Sequence, residues 1–133
     1  MFADGTISEI YASHCFEHFP RPKQKPVLKE WCRVLKPGGK LYVSVPDFTQ
    51  LLKIYEKGGF STWFQHLVWG DQDYPLNYHY CGFVYATLAA LLVDSGFEDV
   101  KRLAEMPYGL NDASRIRDNK DFIPISVSVE AVK

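Results

Sequence analysis

Nowhere in the 133 residues does a G-x-G occur, and this removes the G-x-G-x-x-G turn that opens a dinucleotide-binding unit. Cysteine is scarce as well. Cys15, Cys32 and Cys81 are odd in number, widely spaced and without a C-x-x-C pair, which argues against a disulfide framework or a zinc ribbon and for a reducing, cytoplasmic setting. The longest apolar stretch, Ala86 to Val93, is too short to span a bilayer, and no basic start followed by an apolar run opens the chain. A soluble protein with no membrane partner is expected. The formal net charge of -1 supplies no positive field for a nucleic-acid backbone, so nucleic acid is not expected as a partner. What the chain does have is 47% hydrophobic and 15% aromatic residues, enough for a packed core in one domain over residues 1–133.

The stretch from Ile7 to Pro46 organises the rest. ISEIYAS reads as a strand, PVLKEWCRVL as an amphipathic helix started by Pro26, KPGG as the turn that stops it, and KLYVSVP as a second strand. Val27, Leu28, Trp31, Val34 and Leu35 recur on one face of a 3.6-residue period. A crossover long enough to hold a helix makes the two strands parallel, a βαβ unit. Beyond it, Asp47 with Gln50 has the spacing of a capping box. Phe48, Leu51, Leu52 and Tyr55 form a helical stripe that ends at Gly58-Gly59, and Ser61 to Val68 gives one further short helix. The turn-rich, aromatic segment from Gly70 to Gly82 is expected to be a loop that lines a pocket.

From Phe83 to Ser95 the helical period returns through Val84, Leu88, Leu91 and Leu92, and Gly96-Phe97 has the form of a Schellman cap. Glu98 to Leu103 is expected to be a short strand. Ala104 to Pro124 is expected to be a long surface loop. Ile125 to Val132 alternates strictly and predicts a half-exposed antiparallel strand.

These residues carry a resemblance. DGTISEIYASHCFEHF followed by LKEWCRVLKPGGKLYVSVPDF, with the later HYCGFVYATLAALLVDSGFEDV and PISVSVEAVK, resembles the C-terminal half of a Rossmann-like methyltransferase of the type 11 kind, dependent on S-adenosylmethionine (SAM). The resemblance implies an α/β fold, a partial Rossmann-like sheet whose strands are the fourth, fifth, sixth and seventh of seven. The implied order is 4-5-7-6 with the last strand antiparallel, and residues 47–80 are a helical and aromatic insertion. It implies SAM as cofactor and, when the domain is completed by a partner or an upstream half, methyl transfer to a small-molecule or saccharide acceptor. In that family a Gly-rich loop after the first strand and an acidic residue after the second hold the cofactor, and this sequence has neither in place. The expectation is therefore a truncated domain whose Ile7–Ser13 strand is an open edge, closed by a second copy in a homodimer or by a completing chain. The competing expectation is a non-catalytic dimeric or partner-binding module that keeps the half-fold without the cofactor site.

Site residues follow from the same resemblance. Ala12, Ser13 and His14, at the end of the first strand, are expected to touch the cofactor, although a strand-to-helix turn that needs small residues reads the same way. His18 is the candidate general base. Asp47, Tyr78, His79 and Tyr80 are expected on the acceptor side. His14, Cys15 and His18 lack a further ligand at metal-site spacing, so no metal is expected. The lysines and arginine of the helix are read as its solvated face, and Trp31, Trp63 and Trp69 as packing residues.

Overall fold

The computed structural model describes residues 2–109, 115–118 and 121–133. Strand β1 (Ile7–Ser13) leads through a 3-10 turn at Phe16–His18 to helix α1 (Arg21–Val34), and β2 (Leu35–Pro46) follows directly. Next come α2 (Phe48–Gly58), α3 (Thr62–Trp69), α4 (Tyr85–Asp94) and β3 (Glu98–Leu103). A small hairpin, β4 (Arg115–Asp118) with β5 (Asp121–Pro124), precedes the last strand, β6 (Ser126–Val132). The main sheet runs β1-β2-β6-β3, with β1 parallel to β2 and β6 antiparallel to both its neighbours. This is the expected 4-5-7-6 order, and the fold is α/β.

Four local expectations need correction. Helix α1 begins at Arg21 rather than Pro26. Pro22 occupies the first turn, where its missing N–H costs nothing. Pro26 is inside the helix, and the buried Gln24 holds that first turn down by donating to the Phe19 carbonyl at 3.0 Å and to Cys81 Sγ at 2.6 Å. KPGG does not stop α1, which ends at Val34 with Leu35 as its C-cap. The four residues form a bulge within β2, where the register with β1 jumps from Ile7↔Leu35 to Glu9↔Lys40. Gly39 is required there: a Cβ would lie 2.8 Å from the Lys36 carbonyl oxygen and 3.1 Å from that of Ser8.

Strand β6 is central, and its polar face is only partly exposed rather than open to solvent. Val127, Val129 and Ala131 are fully buried, and on the opposite face Ser128 is buried in a 3.0 Å hydroxyl contact with Ser44. A polar alternation is compatible with burial when the hydroxyls find one another. The Ala104–Pro124 segment is also not simply a loop, since it contains the β4–β5 hairpin; its residues 110–114 and 119–120 lie outside the described ones.

The core is one cluster. Leu41, Val43 and Val45 of β2 and the apolar residues of β6 meet Leu28 of α1 and Leu88 and Leu92 of α4. The two helices are neighbours, tied by Lys25 to Asp94 at 2.5 Å and by Cys32 Sγ donating to the Gly96 carbonyl at 3.5 Å. The Schellman-like end of α4 is present: Gly96 has φ +104°, the Phe97 N–H donates to the Leu92 carbonyl, and the Phe97 ring is buried. Of the α2 stripe only Leu51 is buried, while Phe48, Leu52 and Tyr55 remain exposed. Among the described residues no helix is long and apolar enough to cross a membrane.

Candidate functional site

The C-terminal ends of β1 and β2 lie side by side, Ser13 opposite Ser44. Just beyond them the chain makes a sharp turn. His14 takes a left-handed backbone (φ +47°) and its N–H donates to the Ser44 carbonyl at 2.8 Å. Phe16 then plugs into the core among the rings of Phe19, Trp31 and Phe83 at 6.2, 5.8 and 5.6 Å, and this fixes the 3-10 turn that follows. With Phe16 anchored, Glu17 is turned inward and is only 1% exposed.

The aromatic loop comes back over this turn. Its Tyr80 N–H donates to the Glu17 backbone carbonyl at 2.9 Å, and the His79 N–H to the Trp69 carbonyl at 3.0 Å. Gly70 begins the loop at φ +76°, and a Cβ there would lie 2.5 Å from the Asn77 carbonyl oxygen. Three imidazoles are thereby gathered around one carboxylate. His14 Nδ1 is 3.4 Å and His79 Nε2 4.0 Å from Glu17 Oε1, and the His18 and His79 rings meet edge to face at 4.8 Å. His14 Nε2 pairs with the Ser126 hydroxyl at 2.7 Å, and His79 Nδ1 faces the Leu67 carbonyl at 3.2 Å. A carbonyl only accepts, so Nδ1 of His79 carries the proton and Nε2 presents its lone pair. Burial pushes the pKa of His79 down, with the nearby His18 and His14 acting in the same direction against Glu17 and the Leu67 carbonyl.

Beside this cluster opens a cleft of about 510 Å³, lined among others by His14, Pro46, Trp63, Leu67, Asp71 and His79. Its size is that of a small-molecule site. The expected residues divide accordingly. His14 and His79 face the cleft, and Ser13 ends the strand beneath it. Ala12 is buried in the core, and His18 lies partly buried behind the wall, its Nδ1 without a hydrogen-bond partner. Tyr78 and Tyr80 are exposed and stack near each other at 6.4 Å outside the cleft lining. Asp47 is 2% exposed and already engaged, by the Thr49 N–H at 2.9 Å and by Arg102 at 3.0 Å. Trp63, read as a packing residue, is 47% exposed on the cleft wall. Glu17 and Ser126 are the residues that sequence reasoning passed over. Glu17 had a signal in its place between two histidines; Ser126 had none.

The geometry can be set beside known proteins. The family model described as "Methyltransferase domain" matches residues 1–43, the segment that carries β1, the His14 turn, α1 and most of β2. A SAM-dependent methyltransferase of Archaeoglobus fulgidus superposes with a TM-score of 0.61 at 18% identity, covering 99% of this chain. This is a methyltransferase fold. A SAM-dependent methyltransferase of Thermotoga maritima, described as a possible histamine N-methyltransferase, gives a TM-score of 0.59 at 20% identity over 99% of the chain. The 1,6-didemethyltoxoflavin-N1-methyltransferase of Burkholderia thailandensis, solved with S-adenosylhomocysteine bound, gives 0.57 at 15% identity over 100% of the chain. The chain spans 62%, 58% and 46% of the lengths of these three methyltransferases. No curated protein sequence matches it. SAM is the cofactor of the methyltransferase family, and the fold places the His14 turn at the carboxyl edge of the parallel strands, where open α/β sheets take their ligands.

Proposed function

We propose that this chain forms the acceptor-side half of a SAM-dependent methyltransferase acting on a hydroxyl or amine of a small molecule or saccharide. The observation that carries the reading is the cleft at the carboxyl ends of β1 and β2, walled by His14 on one side and His79 on the other. Its polar atoms suit a ligand with both apolar and charged parts: Trp63, Leu67 and Ile125 supply apolar surface, His14 and His79 hydrogen-bonding edges. Ser13 and His14 would hold the cofactor, whose sulfonium supplies an electrophilic methyl group when bound. The chain's own contribution is positioning, together with a route for the proton. His14 takes over the base role first given to His18, because its ring lies at the cleft while His18 lies behind the wall. A proton leaving the acceptor passes to His14, whose ring lines the cleft and is oriented by the Ser126 hydroxyl 2.7 Å from Nε2, and the buried Glu17 carboxylate beside Nδ1 stabilises the resulting imidazolium.

The remaining strands of the cofactor site come, in this reading, from a second copy, a completing chain or an upstream half of the same polypeptide, paired along β1. Strand β1 is an edge of the sheet, and its Ile7, Ile10 and Tyr11 are only half-buried, whereas every residue from Leu41 to Pro46 in β2 is buried. The same open edge favours the second reading, a non-catalytic partner-binding module. Calorimetric titration with S-adenosylhomocysteine, at a concentration where light scattering defines the assembly, separates the two. Micromolar binding supports the methyltransferase. Absence of binding up to millimolar ligand supports the partner-binding module.

A further inference from the structure

The Glu17 carboxylate presents a physical problem. It is 1% exposed, and neither of its oxygens accepts a hydrogen bond. An ionised carboxylate left in that state costs several kcal/mol unless a positive charge faces it. His18 Nδ1 is likewise buried without a partner. The third neighbour, His79, has its Nδ1 committed to the Leu67 carbonyl, so the lone pair of Nε2 points toward the carboxylate.

From this arrangement we infer that Glu17, His18 and His79 form a binding site for a divalent first-row transition cation, next to the cleft. Each residue brings one ligand atom, and the three atoms all lie within 4.8 Å of one another. Ligand atoms around such a cation stand about 3.3–3.6 Å apart, so the widest pair closes by roughly 1–1.5 Å, within the reach of side-chain rotation. The donor set decides the class of ion. Two imidazoles and one carboxylate suit zinc, cobalt, nickel or iron rather than magnesium or calcium, which prefer oxygen alone. The contact from His79 Nδ1 to a backbone carbonyl is the outer hydrogen bond that orients an imidazole ligand and fixes its tautomer. The cation would satisfy both orphaned groups at once. His14 stays outside the coordination shell, held to Ser126. Three protein ligands leave a position open, and one of the three, His79, lines the cleft.

Locally the sequence offers only Glu17-His18, and the third ligand arrives from 61 positions further along because the aromatic loop is tied to the Glu17 carbonyl. Binding of the cation can be tested apart from methyl transfer, and with a cation on Glu17 the carboxylate no longer stabilises an imidazolium at His14, so its two uses alternate. The test of the site is a Co²⁺ titration of the chelator-treated full chain, followed by visible absorption and calorimetry. The expected result is one equivalent of Co²⁺ per chain with ligand-field bands, displaced by Zn²⁺. His18→Gln and His79→Gln should each weaken binding tenfold or more with folding checked by circular dichroism, and His14→Gln should leave it within about twofold. Sub-stoichiometric binding without ligand-field bands would overturn the inference. So would binding that survives His18→Gln and His79→Gln in folded protein.

Discussion

Arg102 donates to Asp47 Oδ2 at 3.0 Å while Asp47 Oδ1 accepts from the Thr49 N–H at 2.9 Å, so one buried carboxylate both caps α2 and ties it to β3. The cap starts the helix that leads into the insertion over the cleft. Asp47→Ala should lower stability by about 1–2 kcal/mol, mainly through the lost cap, because the half-exposed Arg102 can return to water. Asp47→Asn keeps a good cap and should cost less than half as much. Urea unfolding of the two variants checks the order.

Phe16 holds the turn that presents His14 and Glu17, and it is fully buried among three aromatic rings. Phe16→Ala should cost about 3–5 kcal/mol, the range for removing a large buried ring. Denaturant unfolding gives the number.

Gly70 opens the loop that brings His79 to the cleft. An alanine there would adopt φ +76° and place its Cβ 2.5 Å from the Asn77 carbonyl oxygen and 3.3 Å from the His79 ring. Gly70→Ala should therefore displace His79 as well as destabilise the loop. The check is a shift of the His79 ring resonances in an NMR spectrum. By contrast Gly58→Ala, at a position where nothing lies within 4 Å, should leave them unmoved.

Burial, with help from the Glu17 charge, pushes the Cys15 thiol up to about 11 from an ordinary value of 9.0. The thiolate is the reactive form, so at about pH 8 Cys15 should react with an alkylating reagent roughly a hundredfold more slowly than a free thiol. The sign for stability follows from the raised value. The neutral thiol favours the folded chain below the unfolded pKa, and that contribution fades as pH rises through about 11. Mass-spectrometric alkylation rates in native and urea-unfolded protein measure the difference.

Much of the architecture was legible in local patterns. The alternation of Leu41, Val43 and Val45, the period through Leu88 and Leu92, and the Gly96-Phe97 cap all describe short-range geometry, and all appear as read. The misreadings came from long-range contacts. Gly39 is crowded by Ser8 of the neighbouring strand as well as by its own Lys36 carbonyl, and Ser128 is buried because Ser44 meets it from β2. Neither Ser8 nor Ser44 falls within a local window of residues. The site shows the same limit. His14 was legible from its place at the end of β1, but the convergence of His79 and Ser126 on Glu17 and His14 depends on loop and sheet pairings across 62 and 112 positions.

The most direct test of the central claim is a ¹⁵N-resolved NMR titration of the labelled chain with S-adenosylhomocysteine. If the cofactor sits at the His14 turn, the amide resonances of Ser13, His14 and His79 move together and saturably, while those of the β3 edge stay in place. Unmoved resonances around His14, or shifts confined to residues away from the cleft, would contradict it.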